Sequence, residues 1–307
     1  MNNLTIKKTR ASLLIAYGAI FLWSFQTHGL PVARMAVLCW VAAAFVVGNI
    51  GQPKRKQLQM VGDLTLYTAM WLSYDYSRGT ADSLGFPLQV ELPRNIDKFL
   101  FIGHDPNVWI QEHFWHQQIR WYDVLGSLVY FTHFFVPVAT SVYLWIRYRD
   151  EWVRYMRRFA TVLFAGVLTY IIAPTVPPWM AASNQFHYQI LEPLQRTTGR
   201  GWSWLGLETV SSVLLRGQQW SNPTAALPSL HAAFALFVVI FFWKKFPREW
   251  MRWTALLFPL AMAVTLVYFG EHYVTDIFVG WAYVAGSFWF WNRWEDKRPT
   301  LSPLASE

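Results

Sequence analysis

Pro228-Ser229-Leu230-His231 opens the run PSLHAAFALFVVIFFW, residues 228–243, and Lys244-Lys245 closes it. Every residue between His231 and Lys244 is apolar. A run of this kind is a helix in hydrocarbon, stopped where two ammonium groups reach water. Seven further apolar stretches share its character: 11–27, 33–50, 61–77, 123–146, 159–173, 253–270 and 275–292. Only 14% of the 307 residues are charged and 54% are hydrophobic, where a soluble domain carries about 25% charge. The 19 Trp suit a protein with two membrane–water interfaces to anchor. The expected fold is all-α, a polytopic transmembrane bundle of about eight spans.

The basic residues orient the bundle. Lys7, Lys8 and Arg10 form one group and Lys54, Arg55 and Lys56 a second. Arg147, Arg149, Arg154, Arg157 and Arg158 follow, then Lys244, Lys245, Arg248 and Arg252, then Arg293, Lys297 and Arg298. All five groups fall on one side if every stretch spans, and the positive-inside rule makes that side the cytoplasm. An odd number of spans breaks the agreement. The chain is therefore expected in the cell membrane as a multi-pass protein with both termini cytoplasmic. The net charge of +8 is mostly a topology signal, not a nucleic-acid footprint. The basic N-terminus resembles a signal peptide, but no small-residue cleavage site follows Phe21–Phe25 and a second apolar run comes at once. Residues 1–57 read as a retained two-span hairpin, 58–293 as a six-span core and 294–307 as a cytoplasmic tail. Cys39 is the single cysteine, which excludes an intrachain disulfide and a cysteine metal site.

Two long segments, 78–122 and 174–227, lie on the opposite, outer side. Long ordered loops usually carry function. The stretch from Phe99 through Trp109 to Trp115 reads as an amphipathic lid on the outer leaflet. Three polar features converge on this face: Ala173–Trp179 with Pro177-Pro178-Trp179, Leu227–His231, and Gly270-Glu271-His272-Tyr273-Val274-Thr275-Asp276. His272 and Asp276 are four residues apart, so in a helical turn they share a face. A carboxylate on one ring nitrogen fixes the tautomer and frees the other as nucleophile or base. His231 follows Ser229 at a helix start, where unpaired N–H groups and the dipole attract phosphate. One histidine can attack phosphorus while the other protonates the departing oxygen. A lone membrane histidine also serves as an interhelical hydrogen-bond partner, but three features at one depth on one face point to phosphoryl transfer.

Pro228-Ser229-Leu230-His231 and His272-x3-Asp276 resemble the second and third motifs of the type 2 phosphatidic acid phosphatase superfamily. The Pro-Pro-Trp element and His272-Tyr273-x-x-Asp276 resemble the branch that contains fungal inositol phosphorylceramide synthase and its bacterial relatives. The resemblance implies a six-helix core over the third to eighth spans and a phosphohistidine on His272. Asp276 would orient that ring, His231 would be the acid for the leaving group, and Ser229 with nearby amides would hold the phosphate. It also implies a phospholipid donor, phosphatidylinositol first, and a lipid or glycan alcohol as acceptor in the outer leaflet.

The chain departs from the phosphatase pattern. Thr265-Leu266 stand where Ser-Arg would precede the nucleophile, and Ala173–Trp179 replace the Lys/Arg motif. Loss of two cations fits a phosphodiester of lower charge, and so a transferase. One outer arginine should then serve the phosphate. Of Arg78, Arg120, Arg196, Arg200 and Arg216, Arg78 is favoured beside Asp75 at a span end, and Arg216 comes second. Trp179, Asp75 and Glu271 complete the substrate-binding candidates, Glu271 for substrate hydroxyls. Glu112, His113 and His116 read as interfacial and not as a metal site. Asp123 can meet a polyol headgroup, and His133 reads as an interhelical contact. No metal or cofactor is required. Two other readings remain: a lipid phosphate or polyprenyl diphosphate phosphatase, and a non-catalytic lipid-binding or transport protein.

Overall fold

The structure is a computed structural model, and it describes residues 3–28, 34–80, 84–183, 194–207 and 224–297. Each of the eight apolar stretches falls on helix. Helices α1 (Asn3–His28), α2 (Arg34–Asn49) and α3 (Lys54–Thr80) carry the first three. Helices α1, α2 and α3 up to Asp75 belong to one compact unit. There α1 meets α2 through Tyr17, whose hydroxyl donates to the Trp40 carbonyl at 3.0 Å.

The second unit starts at Tyr76. It contains α4 (Leu92–Leu100), α5 (Pro106–Phe114), α6 (Trp121–Arg147), α7 (Arg149–Ile172), α8 (Pro178–Ala181) and α9 (Arg200–Trp204). Beyond them come α10 (Leu230–Phe242), α11 (Glu249–Ala255), α12 (Leu257–Tyr268) and α13 (Val274–Asp296). Among the described residues α6, α7 and the α11–α12 pair are long and apolar enough to cross a membrane by themselves. The chain is an all-α membrane bundle. Its outer surface is apolar, with Phe135, Leu168, Val264 and Trp289 each more than half exposed. Small and polar residues sit inside, including Ser127, Ser141 and Ser287. Hydrocarbon offers apolar side chains no reason to turn inward, so close backbone approach and polar contacts organise the interior.

Helix α10 is central and packs on α6, α7, α12 and α13. Its aromatic face meets α7, with Phe159 4.4 Å from Phe234 and Tyr155 5.0 Å from Phe237, centroid to centroid. At 13 residues it rises only about 20 Å, less than the hydrocarbon thickness, because its first turn ends inside the protein.

The stretch read as a lid, from Phe99 to Trp115, takes in the end of α4 and all of α5. Phe99, Ile102 and Trp109 point outward, as an interfacial segment requires. The polar side is not turned to water. Asp97, Asn107 and Gln111 are buried, because the end of α12 and the start of α13 leave main-chain groups that need partners. Asn107 Nδ2 donates to the carbonyls of Val267 (2.9 Å) and His272 (3.0 Å). Gln111 Nε2 donates to those of Tyr268 and Gln195, both at 2.7 Å. Asp97 accepts from the amides of Val274 (2.7 Å) and Thr275 (2.8 Å) and caps α13 from another helix. Burial pushes the Asp97 carboxyl up to about 6, against the opposing pull of those hydrogen bonds.

Candidate active site

Three local structures deliver the site. The first ends α12. Gly270 N–H donates to the Val267 carbonyl at 3.1 Å and Glu271 N–H to that of Leu266 at 3.0 Å. These two bonds with a left-handed residue between them form a Schellman motif. Gly270 has φ +70°, and a Cβ there would stand 2.6 Å from the Leu194 side chain, so glycine is required twice over. The motif turns the chain by reversing direction at Glu271 and presents His272.

The second begins α13. The spacing argument puts His272 and Asp276 on one helical turn, but α13 starts at Val274 and Tyr273 is extended (φ −74°, ψ 158°). The two side chains meet through a capping turn. Asp276 Oδ2 accepts the Tyr273 amide at 2.9 Å and lies 3.3 Å from His272 Nδ1. That separation is at the long edge of a hydrogen bond. The arrangement places the proton on Nδ1 and leaves Nε2 with its lone pair. Asp276 is fully buried and His272 is 5% exposed.

The third begins α10. Ser229 is its N-cap and its Oγ accepts the Ala232 amide at 3.3 Å. A hydroxyl that accepts there keeps its own proton to donate. Tyr170 Oη donates to the Pro228 carbonyl at 3.0 Å, and Ser229 N–H donates to the Asp276 carbonyl at 2.9 Å. Gly280 permits this approach, because a Cβ there would lie 2.5 Å from the Ser229 carbonyl oxygen. Gly280→Ala is therefore expected to destabilise the protein by about 1–3 kcal/mol and to slow turnover. Thermal unfolding in detergent with a parallel rate measurement checks this, and an unchanged midpoint and rate count against it.

These starts bring the histidines together. The rings of His231 and His272 are 5.6 Å apart, centroid to centroid. The His231 ring lies 4.8 Å from that of Tyr130 and 3.9 Å from that of His133, centroid to centroid. His133 thus makes its interhelical contact with α10 on the ring of His231 itself.

Of the substrate-binding candidates, Trp179 and Glu271 converge. Trp179 N–H donates to the Gly270 carbonyl at 2.9 Å. Glu271 holds Arg196 through two nitrogens, at 2.8 and 3.3 Å, and accepts from the Thr198 hydroxyl. The Arg196 guanidinium lies 4.2 Å over the Trp179 ring. Glu271 is thus occupied by a cation. The side chains of Asp75 and Arg78, and Arg216 altogether, lie outside the described residues. Among the described outer arginines, Arg200 donates to the carbonyls of His116 and Gln117. Arg196 is the one bonded to the residue before His272. Asp123 is buried instead of facing a headgroup. It accepts the Arg120 amide at 2.7 Å and the Tyr268 hydroxyl at 2.8 Å, because the first turn of α6 needs a cap.

A protein-family model described as "PAP2 superfamily" matches residues 95–290, from α4 through most of α13. Phosphoinositol dihydroceramide synthase of Bacteroides thetaiotaomicron is 27% identical over 286 residues, covering 89% of this chain and 88% of that protein. No solved structure matches significantly.

Proposed function

Because the chain belongs to the PAP2 superfamily, we propose that it is a membrane phosphotransferase that moves a phosphorylated headgroup from a phospholipid to an alcohol. The observation that carries this reading is the pairing of His231 and His272 at 5.6 Å over the start of α10. Neighbouring rings of this kind can serve one phosphoryl group, with Nε2 of His272 about 3–3.5 Å from phosphorus and a His231 nitrogen about 2.6–3.2 Å from the leaving oxygen.

His272 Nε2 attacks phosphorus and forms a P–N bond. The P–O bond to the donor lipid breaks, and His231 gives its proton to that oxygen. His231, now neutral, takes the proton of the acceptor hydroxyl, whose oxygen displaces His272. Asp276 holds the Nδ1 proton throughout and stabilises the positive ring. The Ser229 hydroxyl and the first-turn amides of α10 meet the phosphoryl oxygens. The name of the Bacteroides relative and the missing phosphatase cations together favour phosphoinositol as the transferred group, diacylglycerol as the first product, and a lipid or glycan alcohol as acceptor. The charge pattern faces the site to the outer leaflet.

Arg196 is the cation we assign to the phosphate, in place of Arg78 and Arg216. Its bond to Glu271 and its stacking on Trp179 hold the guanidinium beside the His272 turn. Arg196→Ala is expected to lower the rate about 100-fold, and Arg196→Lys to recover only part because the fork geometry is lost. Near-normal turnover by the alanine variant returns the search to Arg78 and Arg216.

The assay is incubation of the purified protein with labelled phosphatidylinositol, with and without candidate alcohols, beside a parallel incubation with phosphatidate. Diacylglycerol release that depends on the alcohol supports transfer. Inorganic phosphate from phosphatidate without any alcohol requirement makes the protein a phosphatase.

A further inference from the structure

The end of the bundle away from the histidines carries a cleft of about 370 Å³ between α7, α10 and α13. Its polar half holds Arg154, Arg158, Lys244 and Lys245, with Glu151 at the edge. Arg158 forms the floor and is 4% exposed. Its guanidinium is spent on structure: it donates to both Glu295 oxygens at 3.0 and 2.8 Å and to Asn292 at 2.8 Å. Arg154 shares Glu295 at 3.0 Å, and Lys245 meets Glu151 at 2.9 Å. Two carboxylates thus face four cations, and Lys244 has no carboxylate partner among the described residues. The cleft keeps a net positive rim over an ion-paired floor. Its other half is apolar, walled by Ile240, Phe241 and Phe288.

A cationic rim continuous with an aromatic wall selects a ligand that is anionic at one end and apolar at the other. A soluble anion has no use for the wall, and a neutral lipid has none for the rim. We propose that this cleft binds an anionic phospholipid of the leaflet at that end, which the charge pattern makes the inner one. The phosphate lies against Lys244, Lys245 and Arg154, and a chain lies along Phe241 and Phe288. Juxtamembrane lysines and arginines attract anionic lipid additively. The three helices that form the cleft also carry the histidine site at their other ends, so a lipid bound there braces the same bundle.

The test uses the purified full-length protein in nanodiscs of mixed phosphatidylglycerol and phosphatidylcholine. Lipid retained on re-extraction into detergent is quantified by mass spectrometry. The wild type is expected to retain phosphatidylglycerol preferentially. Lys244→Ala/Lys245→Ala should lower that preference about tenfold or more, and both side chains are exposed, so the fold tolerates the change. Arg248→Ala/Lys297→Ala removes the same charge from the same end outside the cleft and should leave the preference intact. No preference in the wild type overturns the proposal. So does an unchanged preference in the cleft variant, or an equal loss in the control, which would trace it to the general field. Displacement of the lipid by inorganic phosphate at comparable concentration would make the cleft a soluble-anion site and overturn the lipid assignment. The readout is binding alone and is independent of whether the protein is a transferase.

Discussion

His272→Ala is expected to reduce turnover by about 10⁵-fold or more and to abolish any acid-labile, base-stable phosphoryl adduct on the protein. The proposed mechanism has no second route to the donor phosphorus, since in it His231 carries the leaving-group proton and cannot attack at the same time. The fold should survive, because the turn that presents residue 272 is made by main-chain bonds and by Asn107, which binds the residue 272 carbonyl and not its ring. A variant with normal thermal stability and no adduct in a rapid-quench experiment with labelled donor supports the assignment. Normal turnover by His272→Ala would refute it.

Asp276→Asn is expected to lower kcat by about 10⁴-fold with little change in KM, as a wrong imidazole tautomer does in other histidine systems. The structure makes this substitution informative. Asp276 does three things: one oxygen meets His272 Nδ1 at 3.3 Å, the same oxygen accepts the Tyr273 amide, and its main-chain carbonyl accepts the Ser229 amide. Asparagine keeps an acceptor for the cap and keeps the carbonyl. Because one oxygen serves both the cap and the ring, the amide either keeps the cap without the charge or turns its NH2 to Nδ1 and reverses the tautomer. A loss of stability comparable to that of Asp276→Ala would mean the carboxylate is mainly structural. An unchanged kcat would mean the tautomer is set elsewhere.

Much of this was legible in the chain itself. Eight apolar stretches became helices because hydrocarbon forces every main-chain group into an internal hydrogen bond, so apolar length alone identifies the element. Ser229 was legible at a helix start because an unbroken apolar run follows it, whereas its capping bond belongs to the structure. His272 and Asp276 meet through a capping turn and not a helical one; four residues bring side chains together in either geometry. Asp97, Asn107 and Gln111 were missed. They serve main-chain atoms, and a bond from Asn107 to a carbonyl 160 residues away leaves no matching side chain to read. Arg196 stood among five outer arginines, and its partner Glu271 is 75 residues further on. Proximity of that kind is a property of the packed chain. Asp123 misled because a carboxylate at a span's edge serves equally as a ligand or a cap, and only burial separates the two.

The bond from the Ser229 amide to the Asp276 carbonyl joins the two halves of the site through backbone alone. At Ser229 only a proline, which lacks the donor, would delete it, although a side chain at Gly280 would crowd the approach. Helices α10 and α13 are therefore fastened to each other by a bond that needs no particular side chain at residue 229 or 276. A change of the Ser229 hydroxyl or the Asp276 carboxylate can alter what either residue offers a ligand while this main-chain link persists. The link separates holding the two helix starts in place from what their side chains do.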